Sequence, residues 1–287
     1  MSAYCVFGQG DNDLFSRLSG LKTEGADFYD IDGIQITCRP VDAEFTRKNV
    51  VKKYKALSLK ERDLLASDST LQFRNFHGLR SAKNSDGLVY NSSFYFLETP
   101  DKKIMGIIYT SVNKVDTVFE RNFIKLLMAG AIPQSIYSSY ANMDSVNFAG
   151  RKITLGKGCG WRAMNNIQCP SHGQMNWSVH KDLEGATAAV DNQYQTIKSE
   201  KAIRILTEAT VPVIFEGARV SAKKVVYDIT GVASALAGMS GGKTLTVYMV
   251  AAPVRNNYVS CVMSFWNNDV INASGLPSLL DAIMQLE

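Results

Sequence analysis

Two short sequence patterns occur twice in this chain of 287 residues, both times in the same order. The first reads apolar-x-Gly-x-x-Ile-Thr and is found at 31–37 and 148–154. The second joins Phe-x-Gly-x-Arg to a following Ala-Lys, at 76–83 and 215–223. Patterns that recur in a fixed order are typical of a duplicated folding unit. The chain is therefore predicted to contain two diverged copies of one module.

The elements predicted after the second pattern support this duplication. Each half continues with a β-hairpin, at 93–109 and 245–263, because apolar residues alternate there on both sides of turn-forming residues. Each half then ends in a segment with apolar residues at helical spacing, at 115–127 and 276–286. Ser274 is a plausible N-cap for the last helix. The predicted fold class is α+β, with an antiparallel sheet flanked by helices in each of two tandem modules.

Earlier in each module the spacing of apolar residues predicts further helices, at 42–57, 59–66 and 182–206. The distance between the two glycine landmarks is longer in the second half than in the first. The second module is therefore expected to carry an insertion near 156–181, directly before its long helix.

The predicted domain boundaries follow from these elements. The first module is expected to span 25–135 and the second 145–287, after a separate N-terminal segment at 1–24. Residues 3–9 are apolar and then small, like the end of an export signal, but they lack a basic start and a full apolar region. The segment is interpreted as the remnant of a signal peptide, which favours export to a periplasmic or extracellular location.

Composition and charge narrow the classes of partner. Hydrophobic residues make up 46% of the chain and charged residues 20%, as in ordinary globular proteins. A net charge of +4 is too small to demand a nucleic acid or an acidic lipid as partner. No apolar run approaches the roughly 18 residues of a membrane span. The sequence predicts no nucleic-acid partner and no membrane-spanning segment, and it leaves the oligomeric state open.

The predicted insertion concentrates residues that carry chemistry. It holds Cys159, Cys169 and His172 together with two of the three tryptophans. The cysteines are expected to form a disulfide if the protein is exported and to remain thiols in a reducing cytosol. A metal site or a thiol nucleophile is the alternative, but the spacing matches no zinc pattern and no residue that would orient the histidine is identifiable. No metal ligand, catalytic residue or cofactor is therefore assigned.

Exposed tryptophan and arginine residues on loops often anchor protein or sugar partners. Trp161, Arg162 and Trp177 are the predicted binding residues on this basis. For Trp177 a core position is equally compatible with the sequence, because the residue alternates with Met175 and Val179 as on a strand.

Two other features have simpler interpretations. Residues 238–244 resemble a phosphate-binding loop, but Ala stands where the first glycine is needed and a strand follows instead of a helix. A hairpin loop is expected there. Five basic residues lie on the helix predicted at 42–57, and they are interpreted as its solvated face rather than as a site for an anionic partner: Arg47, Lys48, Lys52, Lys53 and Lys55.

The last 75 residues resemble the PsbP-like superfamily. The resemblance rests on Phe-x-Gly-x-Arg at 215–219, a strand with an aromatic residue at 225–227, the hairpin at 245–263 and the final leucine-rich helix. The first half matches the same order more faintly. The resemblance implies an α/β/α sandwich and a binding or assembly role, since proteins of that superfamily are mostly not enzymes. No ligand-binding residue of the superfamily maps onto this sequence.

The sequence analysis favours a non-enzymatic binding or assembly protein that recognises an unidentified protein or glycan through the insertion at 156–181. A hydrolase that depends on a thiol or a metal and is centred on Cys159 and His172 is one alternative. A structural protein of the cell envelope is the other.

Overall fold

The computed structural model describes residues 9–64, 67–140, 143–231 and 242–287. The chain divides into two compact units. The second unit consists of Ser16–Ser19, Asp30–Gly33 and Ser138–Glu287, and the remaining described residues belong to the first. The sequence-based boundaries at 25–135 and 145–287 remain a proposal.

Antiparallel strand pairing organises the first large sheet. Its seven strands follow the order β4-β5-β6-β3-β2-β1-β7, with β3, β4 and β5 each antiparallel to a neighbour. The strands are β1 (Ser19–Lys22), β2 (Asp27–Ile31), β3 (Ile34–Val41), β4 (Asn75–Lys83), β5 (Val89–Glu98), β6 (Ile104–Val112) and β7 (Tyr137–Ser138).

The second large sheet has eight strands in the order β10-β11-β12-β16-β15-β14-β13-β17. A separate hairpin, β8–β9, precedes it. These strands are β8 (Ser145–Phe148), β9 (Arg151–Thr154), β10 (Gly160–Ala163), β11 (Asn166–Cys169), β12 (Gly173–His180), β13 (Ile203–Phe215), β14 (Ala218–Ile229), β15 (Thr244–Val254), β16 (Asn257–Trp266) and β17 (Met284–Leu286).

The helices of the described residues are few and mostly short. They are α1 (Gln9–Arg17), α2 (Arg47–Lys53), α3 (Thr117–Met128), α4 (Leu183–Ser199) and α5 (Ser278–Asp281). Side-chain caps define three of the starts, because Thr46, Asp116 and Asp182 each accept a hydrogen bond from the main-chain N–H three residues later. None of these helices combines the length and the apolar character that crossing a bilayer requires.

Apolar side chains cover both faces of the eight-stranded sheet. On one face α4 packs through Val190 and Tyr194 against β14 and β15. On the other face the β8–β9 hairpin and α5 bury large side chains with the sheet. This core includes Phe148, Trp177, Phe215, Met263 and Leu280.

The predicted fold class and the PsbP-like resemblance are both wrong. The structure is built mainly from antiparallel sheets of seven and eight strands, and only α3 and α4 among its described helices exceed nine residues. An α/β/α sandwich needs helical layers on its sheet. The hairpins expected at 93–109 and 245–263 do form, as β5–β6 and β15–β16. Such hairpins are common to many β-rich folds, so they did not specify the superfamily.

Three of the four glycines in the patterns that suggested the duplication lie in hairpin turns. Asp32-Gly33, Ala149-Gly150 and Glu216-Gly217 are two-residue turns in which both residues have positive φ. Such turns match the twist of a β-hairpin and favour glycine at the second position. The fourth landmark glycine, Gly78, lies inside strand β4. Gly78 and Gly217, the second pair of landmarks, are therefore not equivalent positions.

The two large sheets nevertheless share a strand order. Each contains two three-stranded meanders joined through their last strands, as β1-β2-β3 with β4-β5-β6 and as β10-β11-β12 with β14-β15-β16. The duplication itself stays a prediction.

The C-terminal helix predicted at 276–286 is largely absent. Only four residues form α5, and Met284–Leu286 pairs with the edge of β13 as β17. A single helical turn is unfavourable to nucleate, whereas a sheet edge offers unpaired N–H and C=O groups. The helices predicted at 42–57 and 182–206 are also shorter than expected, since α2 covers 47–53 and α4 ends at 199.

Candidate functional site

The segment interpreted as an insertion forms strands of the eight-stranded sheet. Strands β10, β11 and β12 make an antiparallel meander, and β12 pairs along its length with β16. Ile167, Met175 and Val179 from this meander are buried in the core. Residues 160–180 are thus part of the fold and not an added loop.

A disulfide closes the end of the β10–β11 hairpin. Cys159 and Cys169 are bonded, with their sulfur atoms 2.02 Å apart. Gly160 pairs with Gln168 in the register of the two strands, so the two cysteines continue the ladder by one more position. The bond fixes the chain directly before Trp161.

Three further contacts hold Trp161. Its indole Nε1 donates to the carbonyl oxygen of Ser139 at 3.2 Å, and its main-chain N–H donates to the sulfur of Met143 at 3.1 Å. Its ring lies 6.3 Å from the ring of Trp177, measured between centroids. The side chain is only half-buried. An aromatic surface is thereby presented in a fixed orientation.

Trp177 lies in the core rather than at the surface. It is 3% exposed and packs 5.5 Å from Phe148 between ring centroids. Its indole N–H is buried without a hydrogen-bond partner among the described residues. The structure places Trp177 beneath Trp161, where it supports the neighbouring ring.

Arg162 is exposed on β10 and faces away from this core. Its Nε donates to the side-chain oxygen of Gln168 on β11 at 2.7 Å. The contact lies across the hairpin and leaves the rest of the guanidinium toward solvent.

An open cleft of about 480 Å³ lies beside Trp161. Its lining combines an exposed aromatic ring, Tyr140, with two charged side chains, Asp144 and Lys157, and three glycines that leave main-chain groups accessible. Tyr140 is 57% exposed. The complete lining is Tyr140, Met143, Asp144, Gly156, Lys157, Gly158, Cys159, Gly160 and Trp161. Aromatic rings beside a few polar groups are the usual composition of a small-molecule site.

Sequence reasoning missed three of the nine residues that line this cleft. Tyr140, Met143 and Asp144 precede β8 and carry no motif, so only the three-dimensional structure brings them to Trp161. The other six lie in the segment 156–181, for which the concentration of Cys and Trp at 159–177 was the available signal.

The residues considered for catalysis are not assembled into a reactive site. Cys159 is held in the disulfide, and His172 Nδ1 lies 3.3 Å from the hydroxyl of Ser278. Over the described ranges no group of three or more His, Cys, Asp or Glu side chains is placed to hold a metal ion. Most of the loop at 238–244 and all of residues 1–8 lie outside the described residues, so the structure does not address the phosphate-loop and signal-peptide interpretations there.

The comparisons with known proteins identify no family. No family model matches the chain, and the search of curated proteins found no match. Among solved structures, the di-domain ARO/CYC StfQ from the steffimycin biosynthetic pathway is 10% identical over 86% of this chain and 72% of its own, with a TM-score of 0.16. DynU16, from the dynemicin biosynthetic locus, is 8% identical over 91% of this chain and 80% of its own, with a TM-score of 0.18. TM-scores this low support no conclusion about fold or function.

Proposed function

We propose that the protein is a non-enzymatic binding protein that captures a carbohydrate in the cleft beside Trp161. The observation that carries the proposal is the way Trp161 is fixed, half-exposed, at the wall of that cleft. The neighbouring disulfide, the hydrogen bond to Ser139 and the buried ring of Trp177 all hold it in place. A side chain that is ordered before binding loses little entropy when the ligand arrives.

The chemistry of the lining favours a carbohydrate. The rings of Tyr140 and Trp161 offer flat apolar surfaces, and Asp144 and Lys157 offer an acceptor and donors for hydroxyl groups. A cleft of about 480 Å³ has the size of a small-ligand site. A stable protein partner would need about 800 Å² of surface on each side. A protein is therefore the second choice of ligand.

The hydrolase alternative has less support. A thiol nucleophile must be free to ionise, and the sulfur of Cys159 is bonded to Cys169. Nothing among the described contacts favours a purely structural envelope role over binding. The disulfide also agrees with an oxidising compartment, which is consistent with the proposed export.

The test is a screen of neutral and acidic oligosaccharides on an array with the full chain. We expect saturable binding to a subset of them, weakened at least about tenfold by Tyr140→Ala and by Trp161→Ala because each loses an aromatic contact. Tyr140 is the cleaner change, since the exposed ring is not part of the core. Lys152→Ala on β9, an exposed lysine outside the cleft, is the matched control for Lys157→Ala.

The proposal fails if no oligosaccharide binds, or if Tyr140→Ala and Trp161→Ala bind as the wild type does. Equal losses in Lys152→Ala and Lys157→Ala would point to nonspecific electrostatic attraction, which also contradicts a site at the cleft. Thermal unfolding of each variant shows that the fold is retained.

A further inference from the structure

A second cleft, of about 420 Å³, lies within the first unit. Most of the cleft wall is formed by residues 67–76, which precede β4 and begin it. Arg47, the first residue of α2, completes the wall. The lining consists of Arg47, Ser67, Asp68, Ser69, Leu71, Phe73, Arg74, Asn75 and Phe76. Two arginines in one small cleft make it a candidate for an acidic ligand.

Arg47 is held by an aromatic ring and by a hydrogen bond from one nitrogen. The carbon at the centre of its guanidinium lies 4.9 Å from the ring centroid of Phe76, and its Nε donates to the carbonyl oxygen of Leu64 at 3.1 Å. A cation–π contact uses none of the guanidinium N–H groups, so they can still donate to oxygen acceptors. The two terminal nitrogens of Arg47 have no partner among the described residues, so their donors remain available to a ligand.

Arg74 is oriented by the same aromatic pair. Its guanidinium lies 5.3 Å from the ring centroid of Phe45, and Phe45 stacks on Phe76 at 4.6 Å with the two rings 8° from parallel. The side chain of Arg74 is 65% exposed, and its ion pair with Glu98 is long, at 3.6 Å. Both guanidiniums therefore lie over rings of one aromatic pair, and only Arg74 is also in an ion pair among the described residues.

The local charge favours an anion in spite of the carboxylate in the lining. Asp68 is paired with Arg121, with 2.6 Å between its Oδ2 and the arginine Nε. Burial raises the pKa of Asp68, but hydrogen bonds from Thr70 and Arg121 outweigh burial and hold that pKa below the usual aspartate value. Residues 42–63 hold seven basic side chains and four acidic ones. The electrostatic potential near Arg47 is thus expected to be positive.

We propose that this cleft binds a small organic anion, with a carboxylate or phosphate group on the arginines and an apolar body against the wall. Planar bidentate donors suit both oxyanions. Arg47 is the principal donor, because its orientation is fixed from two sides and its terminal nitrogens are unused. The apolar part of the ligand contacts Leu71, Phe73 and Phe76. The site is independent of the carbohydrate cleft proposed for the second unit.

The experiment titrates the full chain with inorganic phosphate, phenyl phosphate and benzoate, by calorimetry and by the shift of the Arg47 Nε–H resonance. We expect at least one of the two aromatic anions to bind saturably and more tightly than inorganic phosphate, because only they reach the apolar wall. Which of them binds more tightly identifies the preferred anionic group. Absence of saturable binding of both at concentrations up to about 10 mM would overturn the proposal.

Matched variants separate a site from general attraction. Arg47→Gln and Lys48→Gln remove the same charge from adjacent positions, but Lys48 is exposed and outside the cleft lining. We expect Arg47→Gln to weaken binding at least about tenfold, as for the loss of a charge-assisted hydrogen bond, and Lys48→Gln to change it less than about twofold. Equal losses in the two variants would refute the assignment. If Arg47→Gln does not fold, Arg74→Gln is tested in the same titration. Unchanged anion affinity in Arg74→Gln would likewise refute the assignment of the site.

Discussion

Glu216 joins several turns of the second unit through two arginines. Its side chain is 3% exposed, and it follows β13 in the turn to β14. Arg151 contacts both of its carboxylate oxygens, one of them at 3.1 Å, and Arg255 reaches Oε2 at 2.7 Å. Arg151 also donates to the carbonyl oxygen of Ala282 after α5, and Arg255 to that of Phe148 at the end of β8. One buried carboxylate thus cross-links three hairpin turns and the C-terminal segment.

Glu216→Gln is the sharpest perturbation of this cluster, because it keeps the size of the side chain and removes its charge. One acceptor oxygen becomes an NH₂ group that faces an arginine donor, and the remaining bonds lose charge assistance. A hydrogen bond to a charged group contributes about 1.5–3 kcal/mol. The side chains of Arg151 and Arg255 are 41% and 36% exposed, so water replaces part of the loss. We expect the second unit to be destabilised by about 2 kcal/mol, and by more in Glu216→Ala, which leaves both arginines without the carboxylate.

Urea unfolding followed by tryptophan fluorescence measures this effect selectively. All three tryptophans, Trp161, Trp177 and Trp266, lie in the second unit. With a slope of about 2 kcal/mol per molar urea, the expected loss lowers the midpoint by about 1 M. Unfolding of the first unit contributes little to this signal.

The control is Glu200→Gln, the same chemical change at an exposed position of the second unit. It should leave the midpoint within about 0.2 M of the wild type. The reasoning is refuted if Glu216→Gln behaves like this control, since the buried carboxylate would then contribute no more than a solvated one.

Two further predictions concern the first unit. Gly78→Ala should destabilise the first unit by about 2 kcal/mol or more, since an added Cβ would lie 2.5 Å from the main-chain oxygen of Asp63. Thermal unfolding followed by circular dichroism measures the effect, and Gly25→Ala, which has open space around it, should be neutral. Equal midpoints for the two variants would contradict the clash. Burial raises the pKa of Glu120, only partly offset by hydrogen bonds from Ser93 and Tyr95. A raised carboxyl pKa stabilises the fold at low pH, and that contribution is lost as the pH rises through the folded pKa. Glu120→Gln should therefore raise the thermal midpoint near pH 7, with a gain that shrinks as the pH falls through the folded pKa of Glu120. A gain independent of pH would rule out Glu120 as its source.

The strands were the most predictable part of the fold. The period-two alternation of β5–β6 and β15–β16 arises from packing on a sheet, which local sequence records directly. The helices were less predictable, because the same apolar spacing at 276–286 can serve a helix or an edge strand. Residues 284–286 form a strand because they pair with β13, whose residues lie about 70 positions earlier in the chain. The local sequence does not show that this partner is available.

The same reasoning explains how much of the candidate sites the sequence could reveal. Trp161 was identifiable because it follows Cys159 in a segment unusually rich in Cys and Trp. Tyr140 was not, because an exposed tyrosine before a short strand has no distinguishing pattern until the fold places it across a cleft. Arg47 also depends on tertiary structure. Its helical spacing marked it as one of several solvated basic residues, and it is exposed, but its position over the Phe76 ring distinguishes it from Lys48 beside it. A side chain therefore becomes a candidate binding residue when distant contacts fix its orientation, and such contacts are set by tertiary structure and not by neighbours in the sequence.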